Sequence, residues 1–269
     1  MRFRRHVVEP YETGPILAFG GPVSNLQATR ALRAEAVRLG IPAARVICTG
    51  DVVAYCGDPV ATVAEIRDWG CHVVAGNCER QLAEDAEGCG CGFDEGSTCD
   101  RLSAAWYAHA RGAMDAETRA WMAGLPDEVS LGNIAAIHGG WTDISRFLWP
   151  TSAETDFIEE LAKRAELTQA PQPQIVLAGH CGLPFCRQIE NTLWVNAGSV
   201  GMPPNDGSPR TCYAIIDGDR VTQHRLDYDW PGAQSAMQAA NLTQGYDRCL
   251  ETGQWPSLEI LPAALRPSG

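Results

Sequence analysis

Four polar residues of this 269-residue chain each follow a short apolar run, and each sits beside a glycine. They are Asp51 in Thr49-Gly50-Asp51, Asn77 in Gly76-Asn77, His138 in Ile137-His138-Gly139, and His180 in Gly179-His180. A carboxylate, an amide oxygen and two imidazoles form a donor set suited to Zn²⁺, Mn²⁺ or Fe²⁺. Each residue alone has an ordinary explanation. Asp51 could cap a turn, Asn77 could start a helix, and either histidine could be a hydrogen-bonded core residue. Together, at the carboxyl ends of strands and beside residues that let backbone approach closely, they point to one converging metal site.

The elements that must carry these residues can be read from the apolar pattern. Residues 15–19 read as a buried strand broken by Gly20, Gly21 and Pro22. A helix then starts at Ser24 or Asn25, with Leu26, Leu32, Ala36 and Leu39 on one face, and Gly40-Ile41-Pro42 stops it. Residues 45–49 and 71–75 read as further strands, separated by a helix that Pro59 opens and that runs to about Trp69. Strand, helix, strand, helix, strand predicts an α/β fold with a parallel sheet. Further helices are expected over 77–86, 100–110 and 115–123, and two strands within 127–138. Thr151-Ser152-Ala153-Glu154 has the capping-box pattern and opens a helix to about Leu167. A buried strand at 174–178 precedes short strands near 187–196, 211–217 and 220–226, which suggest antiparallel pairs. The stretch from Trp230 is less patterned and is expected to pack as helix and loop on the outside. The basic start, MRFRRHVVEP, lacks a following apolar stretch, so it reads as a frayed end or a short first strand, not as a secretory leader.

The run Gly50-Asp51-Val52-Val53-Ala54-Tyr55, followed by Gly76-Asn77, His138-Gly139, Gly179-His180 and Asn196-Ala197-Gly198-Ser199, resembles the calcineurin-like metallophosphoesterases. The likeness is greatest to their small bacterial branch of phosphodiesterases and dinucleoside-polyphosphate hydrolases, and it spans about Ile16 to Arg225. It implies a two-sheet αββα sandwich and a two-metal centre for in-line displacement at phosphorus. The whole chain, 1–269, would then be a single such domain, with a Cys/Gly-rich insertion near 87–99 and a C-terminal extension from about 230.

Departures from that pattern are concentrated in one half of the site. Where the family has Asp-x-His-Gly-Asn, this chain has Gly21-Pro22-Val23-Ser24-Asn25; where it has Gly-His-x-His, this chain has Gly179-His180-Cys181-Gly182. Three of the four ligands the family gives its first metal are therefore missing. The set it gives its second metal is whole: Asp51, Asn77, His138 and His180. The family's leaving-group acid, the histidine of Gly-Asn-His-Asp/Glu, is here Cys78 within Gly76-Asn77-Cys78-Glu79. The resemblance thus implies a retained one-metal site, or a centre rebuilt with other ligands, with Cys78 as the candidate catalytic residue.

Thiols are the obvious source of other ligands. The chain has 11 cysteines, an odd number that cannot all pair internally and too few for a disulfide scaffold, so a reducing cytoplasm is the expected location. Cys89, Cys91 and Cys99 follow Cys78 within a Gly-rich segment and are candidate cofactor-binding residues; thiolate-bound iron, an iron–sulfur centre or zinc would suit them. Their spacing matches no standard zinc or ferredoxin run. Cys48, Cys71 and Cys212 read as small core residues. Arg146, in the loop after His138, could bind an anionic substrate group bidentately, or form a surface salt bridge.

A net charge of −12 argues against nucleic acid as a partner, and no apolar run is long enough to cross a membrane. A small anionic substrate remains compatible, because a bound cation reverses the field inside a cleft. The function expected first is metal-dependent hydrolysis of a small phosphate ester or anhydride. Two alternatives stand beside it. One is a metalloenzyme of changed reaction, with iron or zinc held partly by Cys thiolates. The other is a non-catalytic metal- or redox-responsive binding protein.

Overall fold

Short apolar strands with both faces covered dominate the molecule, as alternation along Ile16–Phe19 illustrates. All four residues are buried, but Ile16 and Ala18 face a second sheet while Leu17 and Phe19 face a helical layer. A computed structural model describes residues 3–9 and 13–266. Its strands are β1 (Arg5–Val8), β2 (Ile16–Phe19), β3 (Val46–Cys48), β4 (His72–Val73), β5 (Glu128–Leu131), β6 (Ile134–Ala136), β7 (Ile175–Ala178), β8 (Pro184–Ile189), β9 (Thr192–Ala197), β10 (Thr211–Asp217) and β11 (Arg220–Leu226). Its α-helices are α1 (Leu26–Arg38), α2 (Pro59–Trp69), α3 (Asn77–Ala83), α4 (Thr98–Ala113), α5 (Ala116–Gly124), α6 (Glu154–Thr168), α7 (Trp230–Ala239) and α8 (Tyr246–Thr252).

These strands build two mixed sheets. One has six strands in the order β1-β5-β6-β7-β9-β8, and the other has five in the order β11-β10-β2-β3-β4. Parallel pairs β2–β3, β3–β4, β6–β7 and β7–β9 put the carboxyl ends of β2, β3, β4, β6 and β7 on one edge of the sandwich. The sheets pack through Ile16, Ile47, Val129, Ile134, Leu177 and Val195. Helices α1 and α2 cover the outer face of the five-stranded sheet, with Leu32, Val63 and Ile66 in that layer. Helix α6 covers the six-stranded sheet through Phe157 and Leu161, against Trp194. This is the αββα sandwich. At the shared edge a parallel bridge between Gly20 and Ser199 ties the two sheets together.

Local chemistry explains most boundaries. Asn25 Oδ1 accepts from Ala28 N at 3.0 Å and starts α1, and Gly70 in the left-handed conformation ends α2. Three expectations need correction. Leu39 lies beyond the end of α1 and is 38% exposed, so it does not belong to the buried face. The capping box at Thr151 does not form: α6 begins at Glu154 after Ala153 with no side-chain cap, and Ser152 Oγ accepts from Trp149 N at 3.0 Å in the turn before it. The C-terminal stretch is not merely outside: Tyr246, Trp255, Ser257 and Ile260 reach in to wall the cleft at the shared edge. Within the basic start, Arg5–Val8 form β1, an edge strand parallel to β5, while residues 1, 2 and 10 lie outside the described residues. No helix among the described residues is long and apolar enough to cross a membrane.

Candidate metal centre

Asp51, Asn77, His138 and His180 all lie at that edge, one beyond each of β3, β4, β6 and β7. Reaching it takes unusual backbone. Asp51 and His180 have φ of 53° and 61°, a left-handed conformation that non-glycine residues rarely adopt and that tends to mark functional sites. Gly50 turns the chain at φ +93°, and a Cβ there would lie 2.7 Å from Gly76 N and 2.8 Å from His138 Nδ1. Only glycine lets these three segments meet.

The side chains then crowd one point. His138 Nε2 lies 3.0 Å from Asn77 Oδ1, 3.1 Å from His180 Nδ1 and 3.3 Å from Asp51 Oδ2. The other ring nitrogen, Nδ1, donates to Thr49 O at 2.6 Å, which leaves Nε2 to face the cluster. Asn77 is oriented in the same way. Its amide nitrogen donates to Cys89 O at 3.0 Å and toward Cys91 Sγ and Cys78 Sγ at 3.4 and 3.5 Å, so its oxygen faces His138. Ligating atoms of Asp51, His138 and His180 all lie within 4.8 Å of one another.

Lone pairs gathered this closely repel unless a cation stands among them. A proton on His138 Nε2 could point at only one of its three neighbours. Buried His180 Nε2 has no hydrogen-bond partner at all, an omission that costs about 1–3 kcal/mol where nothing fills it. Burial would by itself raise the Asp51 pKa, but neighbouring His138 holds the carboxyl below its ordinary range. Burial likewise opposes charge on His138, and the Asp51 carboxylate outweighs it and raises the histidine. His180 is pushed down to about 3 by burial and by His138 beside it, so it is a neutral imidazole. An ionised carboxylate, an amide oxygen and two imidazoles fit a divalent transition metal.

Glu79 is the functional residue the sequence did not single out. Fully buried, its carboxylate accepts from Asp51 N and Gly76 N at 2.8 Å each and from Val53 N at 3.2 Å. One side chain on α3 thereby fixes the loop after β3 to the loop after β4. Burial and the nearby Asp51 charge push its pKa up to about 7. The only available signal was its place in Gly76-Asn77-Cys78-Glu79.

The thiols are arranged differently from the expected ligand cage. Cys78 is fully buried beneath the cleft, and burial, Asp51 and Glu79 push its pKa well above the ordinary thiol value. It is therefore a protonated thiol, poorly matched to proton transfer near neutral pH. Cys89 and Cys91 are joined to each other as a disulfide, so neither is offered as a thiolate. Cys99, in the first turn of α4, is buried against the cleft. Among the described residues, the one group of three or more His, Cys, Asp or Glu that could hold an ion is Asp51, His138 and His180. Arg146 is also committed elsewhere. Its guanidinium pairs with Glu159 at 2.6 Å, Glu160 at 2.8 Å and Asp156 at 3.4 Å, all on α6, and it does not line the cleft. The anion-binding role expected for it thus has no free guanidinium behind it.

Residues 24–220 match the calcineurin-like phosphoesterase superfamily domain. The chain belongs to this superfamily. Its fold is shared with a metallophosphoesterase from Sphaerobacter thermophilus, at 22% identity and a TM-score of 0.68, over 90% of this chain and 100% of that one. A hypothetical protein from Pyrococcus horikoshii OT3 is similar at 15% identity and a TM-score of 0.69, over 90% and 99%. A putative diadenosine tetraphosphatase is similar at 15% identity and a TM-score of 0.50, over 83% and 98%. No curated protein sequence gives a significant match.

Within this calcineurin-like chain, the cleft around Gly21 and Gly182 is bordered largely by carbon. Gly21 lies against Val23 and Ser199: a Cβ on it would meet Val23 Cγ1 at 3.0 Å and Ser199 Oγ at 3.2 Å. Val23 itself is buried. Gly182 is covered by the ring of Trp255, which would lie 3.7 Å from a Cβ at that position. Valine and tryptophan carbons thus lie against Gly21 and Gly182.

Proposed function

We propose that this protein is a metal-dependent hydrolase of small phosphate esters, working through a centre of one divalent ion held by Asp51, Asn77, His138 and His180. The observation that carries the reading is the convergence of Asn77 Oδ1, His180 Nδ1 and Asp51 Oδ2 on His138 Nε2, with the His138 ring and the Asn77 amide each oriented by a hydrogen bond behind it. A divalent ion there would polarise a phosphoryl oxygen and make hydroxide available near neutral pH. The chain's own residues do the rest. Thr49 O fixes the His138 tautomer, Glu79 holds the Asp51 loop, and the 87–99 segment fixes the Asn77 amide. Such outer partners commonly matter about 10–100-fold for metal affinity or activity.

The fate of the leaving group sets the rate. Cys78 stands where the family's acid stands and is held as a high-pKa thiol, so the leaving oxygen departs without efficient protonation. Turnover of bis-p-nitrophenyl phosphate, whose leaving group needs no acid, is still expected to require added Mn²⁺ and to run well below about 10 s⁻¹, a typical enzyme rate, because one ion stabilises the attacking and leaving oxygens less well than two. Asp51→Asn should abolish it. Robust turnover that ignores chelators, or that survives Asp51→Asn, would overturn the proposal.

A further inference from the structure

The cleft above the centre, about 80 Å³ and partly open to solvent, is walled by rings more than by charges. Phe147 lies flat against Trp149, with centroids 5.3 Å apart and planes 3° from parallel, and is tilted by 38° against His180 at 4.2 Å. Phe93, from the Cys/Gly-rich segment, stacks 6.3 Å from Phe147. Trp255, from the C-terminal segment, is pinned by its indole N–H to Pro203 O at 2.7 Å and by its backbone N–H to Asn205 Oδ1 at 2.8 Å. Both Phe93 and Trp255 are only half-buried, so ring surface remains open at the cleft. Each belongs to a segment beyond the sheets and their covering helices.

Charge in the cleft is as one-sided as its shape. Among the described residues that line it, Asp51 is the one carboxylate, and none is Lys or Arg. Arg146, the nearest candidate by sequence, is occupied by three carboxylates on α6. With neutral histidines, a divalent ion beside one Asp51 carboxylate leaves a formal charge of about +1. That balances one negative charge. A polyphosphate, with several charges, would sit largely uncompensated where no guanidinium or ammonium faces it.

We propose that Phe93 and Trp255 are specificity residues that seat a planar aromatic group of a monoanionic phosphodiester beside the centre, in preference to polyphosphates. The proposal rests on the hydrolase reading above. Hydrolysis of such a substrate balances simply: water oxygen bonds to phosphorus, the phosphorus–oxygen bond to the leaving group breaks with its electron pair, and water's proton passes to solvent. An aryl oxide is a stable enough anion to leave in this way. The ring contacts are worth about tenfold in affinity each way they are counted, near 1.4 kcal/mol.

The test is calorimetric binding to the Mn²⁺-loaded full chain at buffered free Mn²⁺, with diphenyl phosphate, diethyl phosphate and inorganic tripolyphosphate. The first two share one charge and differ in their rings; the third has charge without rings. Diphenyl phosphate should bind about tenfold or more tighter than either of the others. Trp255→Ala and Phe93→Ala, on separate segments, should each cut the diphenyl-to-diethyl ratio several-fold, and Trp255→Phe should restore most of it. Equal affinity for the two diesters, tightest binding of tripolyphosphate, or a ratio unmoved in both alanine variants would overturn the proposal. Manganese content is measured on the same samples. An empty centre would count against the hydrolase reading, whereas a filled centre with equal affinities would count against the ring assignment alone.

Discussion

Replacing Glu79 by glutamine changes one heavy atom and should unsettle both the fold and the centre. In the wild type one carboxylate oxygen accepts from Asp51 N and Gly76 N, and the other accepts from Val53 N. Glutamine can place its single oxygen at the two-bond position, but its NH₂ then faces Val53 N–H, donor against donor. One buried N–H is left unpaired, and two charge-assisted bonds become neutral ones. The cost is about 2 kcal/mol. For a chain of this size that is a fall in melting temperature of about 4–8 °C. Metal affinity should fall about 10–100-fold, because the Asp51 loop loses its anchor. A pH series adds a signed check. Glu79 is raised from about 4.5 when unfolded to about 7 when folded, so the folded state holds more protons between those values. Metal-free wild type should therefore lose stability relative to Glu79→Gln as pH rises from about 4.5 to about 7. Differential scanning calorimetry across that range, with competition titration of Mn²⁺ at pH 8, reads all three effects. Unchanged melting temperature and unchanged affinity together would refute the anchoring role.

Two further perturbations separate structure from bystanders. Gly50→Ala puts a Cβ against Gly76 N and His138 Nδ1 in a left-handed backbone, and should cost about 3 kcal/mol or more, seen as a large fall in melting temperature or loss of soluble protein. Gly40→Ala, also left-handed but with nothing within 4 Å of the new Cβ, should cost only about 1–2 kcal/mol; equal losses would dismiss the crowding at Gly50. Cys91→Ser breaks the link to Cys89 and disturbs the Asn77 amide, so it should weaken metal binding, as should Cys78→Ser to a lesser degree, while Cys212→Ser in β10 should not. Identical metal titrations for all three variants would make the thiols near the centre bystanders.

Residues that announce themselves by local pattern were legible in the sequence, and residues that work through distant partners were not. Asp51, Asn77, His138 and His180 stand out because each is polar, ends an apolar run and touches a glycine. The sheet that gathers them follows from the same runs. Glu79 gives no such sign, because its partners are backbone N–H groups, two of them more than twenty residues away. Arg146 read as either an anion binder or a surface salt bridge because its three carboxylates sit on α6, and only folding brings them to it. Trp255 follows no periodicity, so its return to cover Gly182 is a tertiary fact. The Thr151 capping box is absent because α6 begins two residues later, after Ala153, while Ser152 Oγ accepts from Trp149 N in the turn before it. A disulfide across Cys89-Gly90-Cys91 was not foreseen, since sequence spacing alone does not choose between a pair of thiolates and a bond between them.

Metal content per chain tests the central claim most directly. Protein purified without added metal, then dialysed against Mn²⁺ or Zn²⁺ and measured by plasma mass spectrometry, should hold about one divalent ion per chain and no acid-labile sulfide. His138→Ala removes the nitrogen on which the other three ligands converge, and should lower occupancy well below one. Two ions per chain, or full occupancy in His138→Ala, would contradict a centre built from Asp51, Asn77, His138 and His180.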